Sequence, residues 1–245
     1  MSTSSHLLAY DLSNLAYISA HSLPKGFELK PDGADILVTQ LESYIKYLYR
    51  QLNPDKVIFA CDGLNYWRRE IYPEYKGHRQ LTELKRCVKD AISIFKAEKE
   101  NLCCEVEGCE ADDVIYALSQ TVTGNMTIVS MDQDFHQLIT STVRLYNPRS
   151  KKFAKADPNV AFELFVKCFR GDRSDNIPSA YPRISRKKLW QAFNKDDQMQ
   201  LILGTELTPG NPVAKQYELN RELIDLSNLP VKLFEQLETK LAVLP

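Results

Sequence analysis

Nine acidic residues recur where the chain is expected to turn: Asp11, Asp62, Glu110, Asp112, Asp113, Asp132, Asp134, Asp172 and Asp175. Each can act as a helix cap or macrodipole partner, and Glu110-Ala-Asp-Asp113 at a helix start is the plainest case. Their combination points elsewhere, because three of the acid-terminated segments leave the same edge of an expected parallel sheet. Two like charges 4 Å apart repel by about 4 kcal/mol at an effective dielectric of 20, so a cluster of this size needs protons or cations. Ligands that are all oxygen suit Mg²⁺ or Mn²⁺ rather than zinc. More acids than one ion requires implies two ions. A pair about 4 Å apart can stabilise both the attacking and the leaving oxygens of an in-line phosphoryl displacement.

Rival chemistries lack their residues. The chain holds no Walker A loop, no GxGxxG and no GxSxG elbow, and no DxDxT follows the first strand. His6, His21, His78 and His136 have no metal spacing, and the six cysteines contain no CxxC pair, so reduced thiols of a cytosolic protein are the expectation. Phosphodiester hydrolysis becomes the leading reaction.

The net charge is −1, from 31 Lys and Arg against 32 Asp and Glu. That balance argues against a nucleic-acid binder until the distribution is considered. With the nine acids set against metal ions, the 31 cations face only 23 remaining acids. Residues 66–90 carry Arg68, Arg69, Lys76, Arg79, Lys85, Arg86 and Lys89, interleaved in their first half with Tyr66, Trp67, Tyr72 and Tyr75. Cations beside rings suit phosphates and unstacked bases. Residues 144–155 and 183–195 each hold five cations and no acid; the first also reads as a solvated hairpin tip.

The elements that must position these residues follow from periodicity. Buried strands are expected at His6–Asp11, at 56–62, near 103–106, from Met126 towards Asp132, and at 142–146, with helices at 34–51, at 82–100 and from Ala111. Alternating strands and helices imply an α/β fold with a mainly parallel twisted sheet, helices on both faces, and ligands at the carboxyl ends of the strands. Beyond residue 158 the pattern is all helical. The expected division is 1–157 and 158–245. Trp190, Phe193, Leu81, Leu84 and Val88 read as core, and 229–245 as an amphipathic closing helix that could dock a replication partner. No run approaches the ~18 apolar residues of a membrane span, and no secretory signal is expected at the start.

Six motifs in order resemble the 5′-nuclease superfamily, which includes flap endonucleases, the 5′→3′ exonuclease domain of bacterial DNA polymerase I and small phage 5′ exonucleases. They are Asp11, Asp62, Tyr72-Pro-Glu-Tyr-Lys-Gly-His-Arg79, Glu107-Gly-Cys-Glu-Ala-Asp-Asp113, Ser130-Met-Asp-Gln-Asp134 and Gly171-Asp-Arg-Ser-Asp-Asn-Ile-Pro178. The resemblance runs from about residue 6 to 195 and is most like the phage members. It implies a PIN-like sheet and a short helical arch within 66–100. It also implies a helical DNA-binding region that completes the active site.

The resemblance assigns Asp11, Asp62, Glu110 and Asp112 to a first Mg²⁺, with Asp113 in or near that shell. Asp132, Asp134 and Asp175 go to a second Mg²⁺, supported by Asp172; Mn²⁺ can substitute. Lys76 and Arg79 would contact the scissile phosphate, with Tyr75 beside it. The stretch 179–185 contains no glycine where the superfamily has a glycine-rich helix–hairpin–helix turn, which argues against the usual potassium site. Arg183, Arg186, Lys187 and Lys188 would grip duplex DNA instead. The implied protein is a monomeric, cytoplasmic 5′ nuclease on flapped, nicked or primer-bearing DNA. A PIN-type single-strand ribonuclease and an inactive structure-specific DNA-binding protein are the alternatives.

Overall fold

The computed structural model describes residues 5–23 and 33–244. In chain order its first elements are β1 (His6–Asp11), α1 (Leu12–His21), α2 (Gly33–Leu52), β2 (Lys56–Ala60), α3 (Trp67–Ile71), α4 (Glu83–Glu98), β3 (Cys103–Cys104) and α5 (Ala111–Thr121). There follow β4 (Asn125–Val129), β5 (Val143–Asn147), β6 (Lys152–Phe153), α6 (Val160–Arg170), α7 (Arg186–Asn194) and α8 (Asp196–Leu203). A hairpin of β7 (Glu206–Thr208) and β8 (Asn211–Pro212), then α9 (Val213–Ile224) and α10 (Val231–Ala242), complete the chain. Two compact units result. The first comprises Met1–Tyr66, Gln80–Lys155 and Leu229–Pro245, the second Trp67–Arg79 and Ala156–Asn228. The division therefore differs from a single break after residue 157. A short segment of the first half belongs with the helices, and α10 belongs with the sheet.

In the first unit the sheet order is β3-β2-β1-β4-β5-β6, parallel from β1 to β5 with β6 antiparallel at the edge. β1 lies between β2 and β4, and Leu8, Ala9 and Tyr10 are fully buried, as an unbroken apolar strand requires. Alternation sends Leu8 and Tyr10 to a core shared with α1, α2 and α4, where Tyr10 stacks on Phe59 and Phe59 meets Phe95 edge-on. The opposite face is covered by α5, on which α10 packs through Tyr116 and Phe234. Succession along the sheet reverses between β1 and β4. That reversal makes a crevice at the carboxyl ends of these two strands, the usual ligand position in open α/β sheets.

Two expectations need correction here. Residues 83–98, placed within an arch, form α4, whose Val88, Ala91 and Phe95 are buried against the α1–α2 layer. An amphipathic helix with a covered apolar face is part of the core. Leu81, expected in the core, is exposed just before that helix, while Leu84 is partly buried.

The second unit is built on α6 and α9, around which Phe162, Phe165, Phe169 and Tyr217 pack as neighbouring rings. Its polar anchor is Asn220, fully buried, whose amide donates to the carbonyls of Cys168 and Pro178, both at 2.8 Å, while Gln216 donates to its oxygen. Every strong donor and acceptor of that amide is thus used inside the protein. The all-helical expectation misses the β7–β8 hairpin, which turns at Gly210 with a φ of 74°. Trp190 and Phe193, read as core, are 46% and 40% exposed: α7 shows one side of its rings to solvent and the other to Phe162. The amphipathic closing helix is α10; Pro245 lies outside the described residues.

Gly171 ends α6 with a φ of 69°, and a Cβ there would stand 2.3 Å from the Ile177 carbonyl oxygen and 2.4 Å from that of Pro178. Gly210 shares the positive φ but has nothing within 4 Å of its would-be Cβ. Both tryptophans, Trp67 and Trp190, belong to the second unit, so their fluorescence reports on it alone. Gly210→Ala is expected to cost about 1 kcal/mol of backbone strain, and Gly171→Ala at least ~2 kcal/mol more because two carbonyls must move. Urea unfolding followed by tryptophan fluorescence measures the difference; equal midpoints would show that the crowding at Gly171 is relieved cheaply.

Candidate active site

Acids of the first unit gather at the carboxyl edge of its sheet. Asp11 closes β1 and caps α1, so its carboxylate is buried. One oxygen accepts from the Asn14 N–H at 3.0 Å and the other from the Ser130 hydroxyl at 2.9 Å. Asp62 follows β2 and is held by two neighbours, the first N–H of α5 at Ala111 (3.0 Å) and the Ser13 hydroxyl (2.6 Å). Asp132 follows β4; its own N–H donates to Ser130 Oγ and its Oδ1 accepts from the Asp134 N–H. The reversal point between β1 and β4 is therefore flanked by Asp11 and Asp132, with Ser130 bonded to both.

Electrostatics mark this edge as unusual. Burial, reinforced by the charges of Asp62 and Asp132, pushes the Asp11 carboxyl up to about 7 despite its two hydrogen bonds. A buried carboxylate facing two like charges is a position that a hard divalent cation would neutralise, and the oxygen-only donors fit Mg²⁺ or Mn²⁺. Among the described residues no three acidic, histidine or cysteine side chains close into a ready cage. Asp11, Asp62 and Asp132 each rest on their own protein donors. Glu110 is buried at the N-cap of α5, Asp112 is half-buried in its first turn, and Asp113 is fully buried with Oδ2 accepting from the Glu110 N–H at 2.9 Å. Asp113 thus shapes the helix start.

The second unit brings the other predicted residues together in a pair of interlocked loops. Lys76 adopts a left-handed φ of 55° and donates its N–H to the Asp175 carbonyl. Asn176, also left-handed, donates its amide to the Glu74 carbonyl at 2.9 Å. The Asp175 carboxylate then collects three partners: Arg79 at 2.7 Å, the buried Tyr75 hydroxyl at 3.1 Å and the Lys76 ammonium at 3.8 Å. Asp172 turns inward. Burial alone would raise its carboxyl, but bonds from Lys167 and from Ser174 hold it down at about 2. Non-glycine residues with positive φ at adjoining positions mark a loop whose conformation is enforced from outside.

Several predicted DNA contacts change character. Arg68 is only 2% exposed, with its guanidinium over Trp67 and Nε on the Leu223 carbonyl, so it is a packing residue that cannot offer its charge to a phosphate. Arg69 donates to the Tyr75 carbonyl at 3.2 Å and steadies the loop. Arg186 pairs with Glu163 and lies over Phe162. Lys187, Lys188 and Arg183 remain on the surface, Arg183 with a φ of 62° in the glycine-free stretch. Lys85 bonds the Gln80 carbonyl, and Arg86 is exposed. Sequence reasoning missed Ser13, Asn14 and Ser130, which orient the carboxylates. Their signal was present as short polar residues beside the acids in Asp11-Leu-Ser-Asn14 and Ser130-Met-Asp132.

Known proteins resemble this chain in sequence and in fold. DNA polymerase I of Helicobacter pylori is 32% identical over 146 residues, 57% of this chain and 16% of the polymerase. The chain therefore spans about a sixth of that relative's length. A 5′-3′ exonuclease of Streptomyces coelicolor is 28% identical over 206 residues, covering 72% of this chain and 67% of the exonuclease. Among solved structures, the bacteriophage T5 D15 flap endonuclease in complex with DNA and metal ions superposes with a TM-score of 0.69 at 19% identity, over 97% of this chain and 98% of the phage protein. Residues 6–165 match the family model described as 5′-3′ exonuclease, N-terminal resolvase-like domain. With that match over well more than half its length, the chain belongs to the 5′-3′ exonuclease family.

Proposed function

We propose that the chain is a divalent-metal-dependent, structure-specific 5′ nuclease that hydrolyses phosphodiesters near single-strand/duplex junctions of flapped, nicked or primer-bearing DNA. The observation that carries this reading is the convergence of Asp11, Asp62 and Asp132 at the carboxyl edge of a parallel sheet, with like charges facing a buried carboxylate. Family membership supports it, as does the fold shared with a phage flap endonuclease solved with DNA and metal ions.

In this reading Asp11, Asp62, Glu110 and Asp112 hold one Mg²⁺, and Asp132 and Asp134 hold another. The ions, when bound, supply Lewis-acid activation of water and neutralise charge on the leaving oxygen. Ser13 and Ser130 orient the carboxylates through their hydroxyls. Lys76 and Arg79 place positive charge on the phosphoryl oxygens as negative charge grows there. Asp175 and Asp172, expected at the second Mg²⁺, are reassigned because their carboxylates are already engaged: Asp175 faces both cations and positions them, with Tyr75 fixing its carboxylate, and Asp172 with Lys167 holds that loop in shape.

A 5′-labelled flap duplex tests the reading. Cuts at or near the junction in Mg²⁺ or Mn²⁺, abolished by EDTA and restored on re-addition, are expected. Binding without cutting in either metal would reduce the protein to a structure-specific DNA binder. Asp11→Asn should lower turnover at least ~10³-fold by removing an anionic ligand. It keeps the helix-capping oxygen and deletes a buried charge that faces two others. The variant in EDTA at pH 8 is therefore expected to resist urea at least as well as the parent chain. A loss of activity accompanied by a lower unfolding midpoint would instead make Asp11 a structural residue. Lys76→Ala should lower kcat by about 10²–10³-fold while changing KM little. A raised KM with kcat unchanged would instead assign Lys76 to binding alone.

A further inference from the structure

A cavity of about 190 Å³ opens beside the acidic edge, on the β5–β6 side, within the first unit. It is lined by Ser130, Gln133, His136, Asn147, Ser150 and Lys152, together with apolar residues and no acid. Drug-sized ligands occupy pockets of about 300 Å³ or more, so this one suits a single small group. Its polar lining is dominated by donors. The Asn147 oxygen accepts the N–H groups of Arg149 at 3.0 Å and Ser150 at 2.9 Å, which fixes the carboxamide and leaves its NH₂ outside that turn. Gln133 offers a second amide, one of whose hydrogens is directed at the Met131 carbonyl at 3.4 Å, Ser150 a hydroxyl, His136 an imidazole and Lys152 an ammonium.

The basic hairpin around the cavity sorts its cations. Arg144 lies 3.5 Å over the Phe153 ring, and Lys151 lies 5.0 Å over Tyr47, so both are occupied by aromatic faces. Lys152 is the hairpin cation that lines the cavity, and it is exposed. Ser130 is shared: its hydroxyl bonds Asp11 and its residue forms part of the cavity wall. A group bound here therefore neighbours Ser130, which bonds both Asp11 and Asp132.

We infer that this cavity is a phosphate subsite for the nucleic-acid strand, taking a phosphate next to the one that is cleaved. The assignment rests on the nuclease reading for its choice of ligand and on the cavity's donors for its chemistry. Neutral amides, a hydroxyl and one ammonium match the acceptor oxygens of a phosphate, and no carboxylate is among the lining residues. Two sources share this chemistry, a terminal 5′-phosphate and an internal phosphodiester.

The test needs no cleavage. Inorganic phosphate is titrated into the metal-free full chain, with the Asn147 and Gln133 side-chain amides followed by NMR. A saturable shift at millimolar phosphate is expected, weakened about fivefold or more in Lys152→Ala and unchanged in Lys155→Ala, whose residue does not line the cavity. No saturable shift overturns the subsite. Binding of single-stranded oligonucleotides in EDTA then separates the sources. A preference for a 5′-phosphate over a 5′-hydroxyl end that Lys152→Ala abolishes identifies the terminal group. An equal loss on both ends, with the salt slope reduced by about one, identifies an internal phosphodiester. Unchanged binding of both oligonucleotides overturns the assignment to nucleic acid. Because every arm is run without metal, a failure here is distinct from a failure to cut flapped DNA in Mg²⁺.

Discussion

Concentrating negative charge on a buried edge is the constraint around which the first unit is arranged. Like charges at short range cost several kcal/mol in a protein environment, and Asp11 cannot escape because it ends the central strand of the sheet. The fold meets this cost locally. Both oxygens of Asp11 and both of Asp62 accept hydrogen bonds, from two serine hydroxyls and from backbone N–H groups at helix starts. Helix N-termini are suited to this because their unpaired N–H groups and dipole favour anions. The parallel topology is what makes it possible, since it sends the carboxyl ends of β1 to β5, and the helix starts that follow them, to one side.

A similar economy governs the second unit, where charge of both signs is packed into loops. Asp175 faces Arg79, Lys76 and Tyr75, and Asp172 faces Lys167 and Ser174. These contacts hold long cationic side chains in defined places. The loop itself depends on Gly171, where no side chain fits between two carbonyls, and on Asn176 in a left-handed turn. Buried Asn220 ties the same loop to α6 and α9 by donating to the carbonyls of Cys168 and Pro178.

Burial decides which cations remain available. Arg68 and Arg69 sit side by side in sequence, yet one guanidinium is packed over Trp67 and the other steadies a neighbouring carbonyl. Lys151 and Lys152 diverge in the same way, one over Tyr47 and the other along a donor-lined cavity. A run of basic residues is thus a set of separate fates, fixed by which side of a strand or helix each residue occupies.

Much of the architecture was legible in the residues. Apolar runs stopping at Asp11, Asp62 and near Asp132 announced buried parallel strands with acids at their carboxyl ends, 3.6-residue spacing announced α2, and the sequence also marked α4 and the start of α5 as helical. These signals survive in one dimension because alternation and helical period are properties of neighbouring residues. The division into units, the burial of Arg68, the solvent exposure of Trp190 and Phe193, and the bridge that Ser130 makes beside Asp11 were settled only in three dimensions. Each of these depends on what a distant segment brings to the same place. Periodicity tells a side chain which face it takes; tertiary packing alone determines what that face meets.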